Sequence, residues 1–293
     1  MQDGQKFLGE IQSDSADVRF AAWRQAGSAP PAVIPALGRL AASEKPGVAK
    51  AAREALTTMT HAVGKDAAAP NRAAVVKGLT ELTGAGSALP VRVLALRLLS
   101  GVAGEDSVPA IAKWMGSPEL REEAVYCLER IPGKASEQAI LASYRTAADE
   151  FKPRILAALG HRQAKEAAGL CAEEARSSKT EIAVAAAKAL GRIGQAVASP
   201  SPAGLNDWQK TEWMDSVLRA ADAQAKQGNT AEAVRLYKAA LERPEEHFQC
   251  AGVIGLAKLR TAEAATAILP LTKSANRTVR ITAENAWKSM VKG

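Results

Sequence analysis

The sequence predicts an all-α chain, an α-solenoid (superhelix) of about nine antiparallel helix pairs. Three observations carry this. Apolar and small residues recur four apart in helical register. That register recurs about every 33 residues. Aromatic residues make up only 4% of the 293 residues, while apolar residues make up 47%. Thin helical layers can be packed with Ala, Leu, Val and Ile, because each repeat touches only its neighbours.

The clearest unit is the stretch 179–194, KTEIAVAAAKALGRIG. Ile182, Ala186 and Leu190 stack on one helical face, and Gly191 and Gly194 are expected to end the helix. The same pattern aligns at Val18/Ala22/Ala26, Val48/Ala52/Leu56, Val91/Ala95/Leu99, Leu120/Ala124/Leu128 and Pro153/Ala157/His161. It continues at Val217/Ala221/Ala225, Phe248/Gly252/Leu256 and Val279/Ala283/Trp287.

Each such helix is expected to follow a shorter amphipathic one. The candidates are 31–42, 71–83, 108–115, 136–146, 164–176, 230–241 and 261–273. Ser117-Pro118-Glu119 reads as an N-cap, a first-turn proline and a dipole-matched acid, and Arg243-Pro244-Glu245-Glu246 repeats the theme. Thr230 and Asn276 stand at cap positions, and Gly27, Gly104, Gly133, Gly194 and Gly228 at helix ends. No period-2 alternation predicts a strand.

Two places interrupt the rhythm. Residues 64–70, GKDAAAP, read as a longer loop, and residues 196–206 as a linker rich in small residues and proline. The expected organisation is 1–195 as one block of repeats, 196–206 as linker, and 207–293 as the remainder of one array.

The net charge of +7 divides as +4, 0 and +3 over residues 1–100, 101–200 and 201–293. Such an even spread reads first as a solubilising surface. Residues 252–293 hold a local excess of +5. It reads either as the polar face of a terminal repeat or as an electrostatic docking site. Cys127, Cys171 and Cys250 lie far apart inside apolar runs, which gives neither a disulfide framework nor a metal pair. No apolar run is long enough to span a membrane. No leader is legible, and the compartment stays open, cytoplasmic or exported with the leader removed.

The residues after the anchors carry a resemblance. Val18-Arg19 before Ala21-Ala22, Val91-Arg92, Leu120-Arg121 before Ala124, and Val279-Arg280 before Ala283 resemble the second helix of HEAT repeats. The run 189–194, ALGRIG, is similar to the end of the HEAT-like repeats of phycobilin lyases and bacterial scaffolds. Val217–Pro244 looks more like a tetratricopeptide hairpin, on Gly228, Ala233, Tyr237 and Ala240; Gln224 stands where that family usually has tyrosine. Both resemblances imply protein–protein scaffolding.

The candidate binding residues are Arg19, Arg92, Arg121, Arg154 and Arg280, together with Trp23, Trp208 and Trp213. Stacked repeats would align the arginines in a row. That row is either a basic ladder for an acidic partner or phosphates, or a structural ladder bonded to acids and loop carbonyls. Trp114 and Trp287 read as packing, Trp23 as partly exposed, and Trp208 with Trp213 as an aromatic pair able to anchor a partner or clamp the linker.

His61, His161 and His247 are scattered, and Glu122-Glu123, Glu173-Glu174 and Glu245-Glu246 are adjacent, which points them apart on a helix. No catalytic, metal or cofactor motif appears. The expected function is non-catalytic binding of another protein or peptide on the concave surface. The alternatives are nucleic-acid binding through the arginine row, and a HEAT-like enzyme of lyase or DNA-glycosylase type. The latter would need an acid and an arginine converging beside Trp23 or Trp213.

Overall fold

The computed structural model describes residues 3–197 and 203–291. Among these residues every regular element is helical. The chain divides into two compact units, Met1–Thr146 and Ala147–Gly293.

Unit 1 holds α1 (Gly4–Gln12), α2 (Ala16–Arg24), α3 (Ile34–Ala41), α4 (Pro46–Gly64), α5 (Arg72–Leu82), α6 (Leu89–Leu99), α7 (Val108–Ala112), α8 (Arg121–Arg130) and α9 (Lys134–Ser143). The predicted short helices fall on α3, α5, α7 and α9, several of them extended by 3-10 turns. Long helices pack on their neighbours of the same series, α2 on α4, α4 on α6 and α6 on α8, with the short helices alongside. The three predicted anchors of α4, α6 and the Leu120 repeat are all buried.

Two expectations fail in this unit. Val18 is exposed, because α2 has a long neighbour, α4, on one side only. Ser117 does not cap α8, which starts at Arg121; residues 118–120 form a turn, and the Ser117 hydroxyl instead donates to the Glu119 carboxylate at 2.8 Å.

Unit 2 holds α10 (Lys152–His161), α11 (Ala168–Glu174), α12 (Thr180–Ile193), α13 (Asp207–Lys226), α14 (Thr230–Leu241), α15 (Glu246–Leu259), α16 (Ala262–Ile268) and α17 (Arg277–Val291). Here α10, α12, α13, α15 and α17 form the long series. The Pro153/Ala157/His161 register is displaced by two residues. The buried set is Phe151, Ile155 and Leu159, while Pro153 occupies the first turn, where its missing N–H is harmless. Pro244 likewise precedes the Glu245 cap instead of lying within α15.

The stretch 196–206 lies inside unit 2, and residues 198–202 of it are outside the described residues. The helices on its two sides, α12 and α13, pack directly on each other. Gly191 permits this. It lies within α12 instead of ending it, and a Cβ there would sit 2.6 Å from the Ser216 carbonyl oxygen of α13. Gly194 ends α12 in the left-handed conformation, with φ of 81°. Gln224 of α13 is buried and donates its Nε2–H to the Gly194 carbonyl at 2.7 Å, while its Oε1 accepts from Asn229 at 2.9 Å. The expected cap Asn276 does open α17, accepting from the N–H groups of Thr278 and Val279.

Candidate functional site

The arginines after the anchors share a local task. Arg19 donates to the Ser13 carbonyl at 2.6 Å, Arg92 to that of Thr83 at 3.0 Å, and Arg280 to that of Ser274 at 2.6 Å. Each acceptor terminates the short helix that precedes the arginine's own helix. A cation at a helix C-terminus satisfies an orphan carbonyl and opposes the negative end of the dipole.

Gln249 stands at the equivalent place in α15 and donates to the Arg243 carbonyl at 2.6 Å, just past α14. The glutamine that interrupts the arginine row therefore does the same work without a charge. Arg121 and Arg154 lie half-buried in the first turns of α8 and α10. Arg92 also covers Trp114, its guanidinium 4.4 Å from the ring centre, and the Trp114 indole N–H donates to Thr83 Oγ1 at 3.1 Å.

The tryptophans separate. Trp213 is 2% exposed, in the core of unit 2, so it does not share a surface with Trp208, which is 62% exposed. Lys188 of α12 lies 5.7 Å from the Trp208 ring centre and pairs with Glu212 of α13. Trp287 is half-buried. Trp23 is half-buried and meets Phe20 edge to face, with centroids 5.2 Å apart. Arg24 lies 5.4 Å from the Phe20 ring centre. Phe20 is 50% exposed.

Phe20 was not singled out by sequence. Its signal is a phenylalanine two places after an anchor, on the side of the helix away from the core. The neighbouring helix α4 runs in the same sense as α2. A Cβ on Gly47 would lie 2.6 Å from Arg19 Nη2, and one on Gly27 would lie 2.9 Å from Ala62 Cβ. Lys50 and Arg53 are exposed on α4, with Glu54 half-buried beside them. Phe20, Trp23 and Arg24 thus lie together on α2, two aromatic rings beside one cation.

Titratable groups elsewhere are held in place by structure. Hydrogen bonds from Lys152 and Lys179 pull the Asp149 carboxyl down to about 2. The Arg97 guanidinium is raised by its 2.5 Å bond to Glu123, which links α6 to α8. Burial pushes the thiols of Cys127 and Cys171 up to about 12. Among the described residues no three His, Cys, Asp or Glu side chains are placed to hold a metal ion. No helix among them is long and apolar enough to cross a membrane. Three cavities of about 630, 570 and 410 Å³ are lined by residues other than Trp23 and Trp213.

No family model matches the chain, and no curated protein matches it. Solved structures do. Kap121p aligns at 11% identity over 98% of this chain and 37% of its own, with a TM-score of 0.56. An engineered protein aligns at 18% identity over 100% and 90%, with a TM-score of 0.44. Human deoxyhypusine hydroxylase, in complex with glycerol, aligns at 17% over 74% and 96%, with a TM-score of 0.37. The chain spans about a third of Kap121p. At these identities the likeness to Kap121p speaks to fold alone, and the fold is a HEAT-like helical repeat.

Proposed function

We propose that this chain is a non-catalytic scaffold that binds another protein or peptide on the exposed face of its long helices, with Phe20, Trp23 and Arg24 as the anchor. The edge-to-face pair supports this reading most. Two aromatic rings and an arginine on a rigid helix present a large contact area whose side chains have little rotamer freedom left to lose. Aromatic residues and arginine dominate the energetic centres of protein interfaces. Arg24 beside the rings favours a partner that carries an acid next to its apolar anchor.

The nucleic-acid alternative draws less support, because Arg19, Arg92 and Arg280 each engage a main-chain carbonyl of their own unit. The test is affinity capture from the native host with wild-type bait and with the double variant Phe20→Ser, Trp23→Ala, each with and without nuclease. Partners retained through nuclease and lost with the variant are expected. Partners captured equally by both baits would remove this face from consideration, and partners lost only with nuclease would restore the nucleic-acid reading.

A further inference from the structure

A second surface stands in unit 2, between the parallel helices α15 and α17. It is a groove of about 570 Å³ lined by Ile254, Ala257, Lys258, Arg260, Asn285 and Ala286, with Thr282 and Ser289 at its edge. Its floor is made by small side chains, which is why the space exists. Ile254 forms an apolar wall and is 50% exposed.

The polar groups around that floor are uncommitted. Neither Lys258 nor Arg260 makes an ion pair among the described residues, and the Asn285 side chain makes no hydrogen bond to another described residue. Thr282 and Ser289 donate to carbonyls of their own helix, which leaves their oxygens free to accept. No acidic and no aromatic side chain lines the groove. Arg260 sits in the left-handed conformation, φ 51°, a strained place for an arginine. The C-terminal end of α15 presents about half a negative charge. Two full positive charges on the rim outweigh it.

We infer that this groove binds an acidic, extended peptide segment of a partner protein. One aliphatic side chain of the segment rests against Ile254 on the alanine floor. Flanking carboxylates meet Lys258 and Arg260, and the amide of Asn285 pairs with the peptide backbone. A nucleic-acid strand fits less well, since its bases would have no ring to stack on and its phosphates only two cations to meet. This site is in the other unit from the Phe20 face and does not depend on it.

The test uses the full chain and a displayed library of random peptides of about ten residues. Selection runs on wild type, and the enriched peptides are re-measured on Ile254→Ser and on the double variant Lys258→Glu, Arg260→Glu. All three positions are exposed, so the variants fold; matched thermal melts check this.

Enriched peptides with Asp or Glu flanking Leu, Ile or Val are expected, with about tenfold or greater loss of affinity on either variant. The Phe20→Ser, Trp23→Ala variant should bind them as wild type does. Failure to enrich acidic peptides, or equal binding by the groove variants, overturns the proposal. So does an oligothymidylate that binds the groove more tightly than the selected peptides.

Discussion

The guanidinium carbon of Arg92 lies 4.4 Å from the centre of the Trp114 ring, while its Nε donates to the carbonyl of Thr83, where α5 ends. One side chain thus closes a helix terminus and covers an aromatic ring of the next short helix. Losing the charged hydrogen bond and the cation–π contact should cost about 1–2 kcal/mol. Arg92→Ala is expected to lower the unfolding free energy by that amount, read as a lower denaturant midpoint at unchanged slope. Arg92→Lys should recover only part of it, because an ammonium lacks the planar face that lies over the ring. An unchanged midpoint in Arg92→Ala would show that the arginine holds nothing together, and would leave binding as its role.

The same device appears with an uncharged donor in Gln224. Its amide is buried, caps α12 through Gly194 and receives Asn229. Gln224→Ala should cost about 1–3 kcal/mol, since it strands a buried carbonyl. Hydrogen exchange should localise the loss to the last turn of α12 and the 228–229 turn. Gln224→Tyr, which keeps the bulk but lacks the amide, should not recover it. A tyrosine that restores full stability would mean that the glutamine amide is incidental.

The fold was legible where side chains alone decide it. Spacing of four between small and apolar residues located the long helices, and the segment 230–241 was placed to the residue. The register at Pro153 was misplaced because Phe151, Ile155 and Leu159 satisfy the same spacing two residues away. Trp213 could have been assigned to the core: with Val217 and Ala221 it forms the same i, i+4, i+8 set, all buried. The arginines kept two readings because their acceptors are main-chain carbonyls, which leave no trace in a sequence. The α15–α17 groove needs two helices side by side, and spacing within one helix does not show that.

Two glycines test how tightly the helices are packed. A Cβ at Gly191 would meet the backbone of Ser216, whereas one at Gly169 would meet nothing within 4 Å. Gly191→Ala should therefore force α12 and α13 apart and cost about 1–3 kcal/mol. Gly169→Ala, exposed within α11, should gain up to about 1 kcal/mol from helix propensity. Thermal melts of the pair give opposite signs if the α12–α13 contact is as close as described. The same sign in both would show that it yields easily.

Thiol chemistry offers a check on burial. Cys127 and Cys171 are buried with thiols pushed up to about 12, while Cys250 is partly accessible. Near pH 8 the two buried sulfurs hold almost no thiolate, and the thiolate is the reactive form. Iodoacetamide should modify Cys250 alone in the native chain and all three cysteines in denaturant, read by peptide mass spectrometry. Rapid native labelling of Cys127 or Cys171 would mean that the helices around it open freely.

Asp149 gives a prediction about acid. Its carboxylate accepts from Lys152 and Lys179, and the two bonds draw it from 3.8 to about 2. A carboxyl depressed in the folded state contributes stability above its unfolded value, and that contribution is lost as the pH falls toward the folded value. The window is therefore pH 4 down to pH 2. Asp149 is exposed, so solvent screens the contribution and it is small. Asp149→Asn should flatten that part of the stability profile while leaving the neutral-pH melting temperature little changed. The effect should also fade in high salt, because ions screen an exposed pair. A wild-type profile that already runs parallel to the variant's between pH 4 and pH 2 would show that the two lysines do not hold this carboxylate in solution.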